Sequence, residues 1–204
     1  VASAKDDGQE TMKELFKSAC RAQGMSIETK VTCLADGADN CWSIAHSIEK
    51  HCQELTFVLD WFHVGMKFKN IAIPEEHSAL YAKVKWHLWH GRPDTALIRL
   101  EQLTKLINDT SMVAKLNKLA TYISNNKAGI VNYRERKKAG LVYTSNLAES
   151  TVNTLINERQ KGKQKMLWGR DGAHNVLQIR ASVFSNSWDV DWKKAESEIY
   201  KLVA

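Results

Sequence analysis

The chain has 204 residues, 44% hydrophobic and 25% charged, with 2 Pro and 10 Gly. That balance describes a globular protein with one main core and excludes disordered chains and fibrous repeats. The net charge of +6 is concentrated: Arg134 to Arg170 carries nine Lys or Arg against three Glu, and the remainder is neutral. Clustered cations beside amide-rich sequence (YRERKKAG, NERQKGKQK) are the footprint of a polyphosphate partner, nucleic acid first, because Lys and Arg gain affinity by releasing condensed counterions. A solvated lysine-rich surface is the plain alternative.

The N-terminal VASAKDDGQE has neither an initiator Met nor a basic-then-apolar leader, so the expectation is a piece of a longer reading frame. The longest apolar candidates, such as Leu55 to Phe62, are broken by Asp60 and fall short of the roughly 18 residues a spanning helix needs. No membrane partner is expected. Cys20, Cys33, Cys41 and Cys52 form no CxxC pair and are too few for a disulfide scaffold, which favours a reducing compartment. His46, His51 and His63 lie among them without finger or ribbon spacing, so buried thiols are expected rather than a zinc site.

Residues 9 to 23 place Met12, Leu15, Phe16 and Ala19 at i, i+3, i+4, i+7, which predicts an amphipathic helix ended by Gly24. The β-branched, apolar run at 30 to 35 (KVTCLA) predicts a strand running into Asp36-Gly37, with Asp39 or Asn40 capping a helix that ends near Cys52. Residues 55 to 59 (LTFVL) predict a second strand ending at Asp60, and WFHVGMKFKNIA another helix. In such a β-α-β-α run the strands should be parallel and the chemistry should sit at their carboxyl ends, which places Asp36 and Asp60 on one edge. Each also has a plain explanation as a turn or capping aspartate.

From Pro74 to about Gly140 three helical periods follow with no strand between them, broken at Gly91-Arg92-Pro93-Asp94, where Asp94 or Thr95 can cap, and at Asn108-Asp109-Thr110-Ser111. Trp86 and Trp89 share a helical face beside His87 and His90. Ordinary core aromatics are the expectation, with stacking on DNA as the alternative. A final segment opens at Tyr143, where Thr144, Ser145 or Asn146 can cap a helix carrying Glu149; Asn146 to Glu149 has capping-box spacing. QKGKQK reads as a loop, a helix resumes at about Asp171, and AESEIYKLV reads as a short closing helix.

Three blocks then resemble one family. LADGADNCW is similar to the strand-end motif around the second catalytic aspartate of bacterial insertion-sequence DDE transposases, here Asp36. VLDWFHVGMKFKN is similar to the D-x-F-H segment on their next strand, here Asp60, Phe62 and His63. YTSNLAESTVNTLINERQKGKQKMLWGRDGAHNVLQIRA is similar to their segment with the catalytic glutamate, an R-x-K stretch, Met-x-Trp and Gly-Ala, here Glu149, Arg159, Lys161, Met166, Trp168, Gly172 and Ala173. The chain thus resembles the C-terminal two-thirds of such an enzyme.

The resemblance implies an α/β chain with a partial RNase H-like fold: a β-α-β-α core whose first meander strands are missing, a large all-helical insertion and a helical C-terminus. It divides the chain into a first core part at 1–73, the insertion at 74–141 and a second core part at 142–204. The implied catalytic residues are Asp36, Glu149, His63 and Asp60, with Asp36 and Glu149 as metal ligands for a two-Mg²⁺ site in which Mn²⁺ can substitute. Asp60, aligned one strand beyond the catalytic aspartate, is expected to orient His63 or to approach the metal through water. Asp6 and Asp7 lie in a polar tail and are not assigned to catalysis. Arg159, Lys161, Lys163, Lys165, Trp168 and Arg170 are the implied DNA contacts. The partners are transposon ends and target DNA, the assembly a homodimer or larger, and the location the bacterial cytoplasm at the nucleoid. The competing expectation is a catalytically inactive, transposase-derived DNA-binding remnant. A flavodoxin-like or nucleotide-binding protein is disfavoured because no glycine-rich phosphate loop is present.

Overall fold

A computed structural model describes residues 8–161 and 167–203. The chain is mostly helical with a small parallel sheet, and it divides into two units, Arg21–Ser145 and the described parts of Val1–Cys20 with Asn146–Ala204.

In the first unit, β1 (Lys30–Ala35) and β2 (Glu54–Leu59) pair in parallel, Lys30 opposite Glu54 through Ala35 opposite Leu59. The β-α-β reading therefore holds. The connecting helix α2 (Asp39–His46) starts one residue earlier than an Asp39 cap would allow. The reason is local: the Asp36 carboxylate accepts the Ala38 N–H at 3.0 Å, so the turn is closed from the strand end and no side chain caps α2. α2 also stops short of Cys52, giving way to a 3₁₀ turn at Glu49–His51.

β2 delivers Val58 and Leu59 fully buried and passes into α3 (Trp61–Lys69), capped by Asp60. Then come α4 (Glu75–Trp89), α5 (Pro93–Leu106) and α6 (Thr110–Asn125). Asp109 caps α6, accepting from Ser111 and Met112 N–H. α5 has no side-chain cap: Pro93 at its first position needs none for its missing N–H, and Asp94 pairs instead with Lys127. Leu59, Val64 and Phe68 share one buried cluster with Val84, Leu88, Leu100, Leu103, Leu116 and Ile123, so the strand end and the helices are packed on common apolar side chains. A further short helix, α7 (Tyr133–Lys138), is capped by Asn132.

The second unit contains α1 (Gln9–Ala22) up to Cys20, then α8 (Asn146–Val152), a π-helical turn at Asn153–Asn157, α9 (Glu158–Gln160), α10 (Arg170–Phe184) and α11 (Trp188–Val203). The π turn leaves carbonyls out of register, and Arg180 collects two of them, donating to Leu155 O at 2.8 Å and Thr154 O at 2.7 Å. α11 starts well before the expected Ala195. Asp191 accepts from both Ser182 and Ser187 hydroxyls at 2.6 Å, and with Asp189 it places negative charge in the first turn, where the helix dipole favours it. Among the described residues no helix is long and apolar enough to cross a membrane, and no disulfide joins the four cysteines.

Candidate functional site

The carboxyl edge of the β1–β2 pair carries Asp36 and Asp60 one position beyond the last paired residues, Ala35 and Leu59, and the Asp60 N–H donates to Ala35 O at 2.8 Å. Three side chains from the helical segments and their ends support this edge. Tyr122 donates its hydroxyl to Asp36 O at 2.9 Å, Tyr133 donates to Leu59 O at 2.8 Å, and Asn126, nearly buried, accepts from the Trp42 indole at 3.4 Å while donating to Tyr122 O. Burial, then the negative charges of Asp36 and Asp60, push the Tyr122 phenol upward. Burial, followed by Tyr122 and Asp60, does the same to Tyr133. Both remain neutral donors. Gly37 sits at φ +97°, and a Cβ there would lie 2.5 Å from the Asn126 side-chain oxygen, so the turn after Asp36 requires glycine on two grounds.

The two aspartates differ in how their oxygens are used. Asp60 is 1% exposed. Its Oδ1 accepts Phe62 N–H at 3.0 Å and Ser145 N–H at 2.9 Å, and its Oδ2 accepts the Ser145 hydroxyl and His63 Nδ1 at 2.7 Å. Burial pushes this carboxyl up, but the bonds from Ser145, His63 and the two backbone amides outweigh it and hold the group below its ordinary value. A carboxylate is acceptor-only, so His63 must carry its proton on Nδ1, which leaves Nε2 for solvent or substrate on a ring 35% exposed. Asp36, by contrast, is exposed and uses one oxygen in its turn, whereas Oδ2 has no partner among the described residues.

Of the residues expected to act together, the structure brings Asp36, Asp60 and His63 to one edge. Ser145 joins them, a residue that reads from sequence only as a helix cap. Glu149 lies in the first turn of α8, exposed, in the second unit. In that same unit the Arg159 guanidinium lies 5.0 Å from the Trp168 ring centroid, and the Trp168 indole N–H is buried without a hydrogen-bond partner among the described residues. Lys161 follows α9, and Arg170 opens α10 in an exposed position. Lys163, Lys165 and Met166 lie outside the described residues.

For a divalent cation, Asp36 offers what magnesium chemistry needs, a hard carboxylate oxygen free to bind. Asp60 does not, since both its oxygens are already engaged. Among the described residues no three His, Cys, Asp or Glu side chains converge as a ready ligand set.

The tryptophan pair divides. Trp89 packs against Trp61, Tyr133 and Tyr143 with centroids 4.9 to 6.0 Å apart, as expected of a core aromatic. Trp86 is 49% exposed.

No curated protein and no solved structure matches the chain. Residues 22–198 match the uncharacterised protein family UPF0236, covering both strand-end aspartates, His63 and Glu149, and the chain belongs to that family.

Proposed function

We propose that the chain is part of a DDE-type transposase with an RNase H-like catalytic fold, cutting and joining the DNA of an insertion sequence. The observation that carries this reading is Asp36: an open carboxylate on a glycine turn at the carboxyl end of a parallel strand, beside a second strand that ends in the Asp60–His63 pair. It stands together with the order of the three sequence blocks, of which Glu149 and the basic stretch form the last.

In this reading Asp36 and Glu149 are the carboxylates that would hold Mg²⁺, or Mn²⁺ in its place. Such ions, when bound, activate the attacking water or 3′-hydroxyl and neutralise charge developing on the leaving oxygen. His63 Nε2, left an acceptor because Asp60 holds the ring proton on Nδ1, accepts a hydrogen bond or a proton from a water or hydroxyl beside the scissile phosphate. Asp60 acts through His63 and Ser145 as a positioning residue. Arg159, Lys161, Lys163, Lys165 and Arg170 hold the DNA backbone, with Trp168 supporting Arg159, and this binding is salt-sensitive and largely independent of sequence. The assembly is a dimer or larger on paired ends, in the bacterial cytoplasm.

The test is Mg²⁺-dependent nicking of end-containing DNA by the full reading frame, compared with its Asp36→Asn and Glu149→Gln variants. Activity lost in both variants supports the reading, and an intact frame that never nicks its own ends rejects it. A second reading, a non-catalytic DNA-binding remnant, is favoured by one feature: with Asp60 saturated, the strand edge presents a single open carboxylate among the described residues. It requires salt-sensitive DNA binding with no cleavage under any divalent cation.

A further inference from the structure

Trp86 is not left exposed in a neutral setting. Its indole packs against His90 with centroids 4.0 Å apart and ring planes tilted by 33°, and His90 is held by its Nδ1 on Trp86 O at 2.8 Å. The Arg92 guanidinium lies 5.7 Å from the Trp86 centroid. His87 Nδ1, in the same turn, is buried without a hydrogen-bond partner among the described residues. Burial, then Arg99, Arg92 and His90, hold its imidazole below the ordinary value, which marks a converging positive field.

Among the described residues no carboxylate pairs with that field. The acids of α5 are committed elsewhere, Asp94 to Lys127 and Glu101 to Lys105, and Arg99 donates to the neutral Gln102 amide at 3.0 Å. Lys83 and Lys85 add charge from α4, and Lys85 already lies over Trp61. An indole half open to solvent beside an arginine without a carboxylate partner among the described residues is the arrangement that takes a π-face and a phosphate together.

We propose that Trp86, His90 and Arg92 form a contact for an unpaired nucleotide, with the base stacked on the Trp86 indole and the adjoining phosphate on the Arg92 guanidinium. The contact deepens the transposase reading and rests on it for the identity of the polymer as DNA. Stacking selects single strands, because in a duplex both faces of each base are already covered. The sequence-independent grip of phosphate contacts would not make that distinction.

The experiment is fluorescence anisotropy of the whole chain with a labelled single-stranded oligodeoxynucleotide and with the matching duplex, at low and moderate salt. Trp86→Ala should weaken single-strand binding about tenfold and leave duplex binding unchanged, Trp86→Phe should retain most of it, and Arg92→Ala should flatten the salt dependence. Trp86→Ala binding single strands as the wild type does, or losing both DNA forms in parallel, overturns the contact. If the wild-type chain binds no DNA, the contact and the transposase reading fall together. Loss on Trp86→Ala alongside a full reading frame that never nicks its ends leaves the contact standing and removes only the transposase reading.

Discussion

The two strands of the sheet are each followed by an aspartate at the same register, yet the two carboxylates have opposite environments. Asp60 is buried and accepts four hydrogen bonds from α3, His63 and Ser145, whereas Asp36 is exposed and accepts one. A carboxylate that has spent all its lone pairs is architecture, and one that has kept an oxygen free can serve chemistry. The difference arises in the segment after each strand. Behind Asp60 a helix begins at once and offers its amide and the His63 ring. Behind Asp36 the glycine turn swings the chain away first.

Substitutions at the two positions should therefore separate stability from activity. The largest effect on stability belongs to Asp60→Ala, which strands the Ser145 and Phe62 amides at a buried position and releases the His63 ring; a loss of about 3 kcal/mol in urea unfolding is expected. Gly37→Ala forces a side chain into a positive φ and into Asn126, and should cost about 2 kcal/mol by the same measurement. Tyr133→Phe removes the donor to Leu59 O and should cost about 1 kcal/mol. The smallest change in folding belongs to Asp36→Asn, within about 0.5 kcal/mol, while under the proposed function it should abolish Mg²⁺-dependent cleavage by the full reading frame.

Acid sharpens the same contrast. The Asp60 carboxyl sits lower in the folded chain than its unfolded value of about 3.9. Its stabilising contribution is therefore complete above that pH and is lost as the pH falls through the folded value. The urea midpoint of the wild type should drop across this acidic window, and that of Asp60→Asn, which has no carboxyl to protonate there, should drop less.

Much of this edge is legible in the sequence. Short β-branched runs that stop at Asp-Gly and at Asp-Trp-Phe-His give both strands, their common direction and the i, i+3 reach from Asp60 to His63, because each signal is local. What the sequence does not carry are the partners that arrive from far along the chain: Ser145 meets Asp60 across 85 positions, and Tyr122 meets Asp36 across 86. Neither residue has a local pattern that marks it, since a serine before a helix reads as a cap and a tyrosine in an amphipathic helix reads as core. Trp86 and Trp89 show the same limit. Three positions apart, they share a helical face by periodicity, but α3 and α7 supply aromatic neighbours for one and leave the other open. The start of α2 also moved from its expected place, since the Asp36 side chain closes the turn on the Ala38 amide and the helix begins directly behind it.

The long reach of these bonds has a consequence for the order in which the chain becomes structured as it is made. Asp60 leaves the ribosome early, but its full set of partners exists only once Ser145 has emerged, and the carbonyls of Asp36 and Leu59 wait for Tyr122 and Tyr133. Contacts so distant in sequence close late and slowly. A nascent chain that stops between α3 and Ser145 holds Asp60 with its Phe62 and His63 partners but without the two bonds from Ser145, so the edge is completed stepwise and last at Ser145.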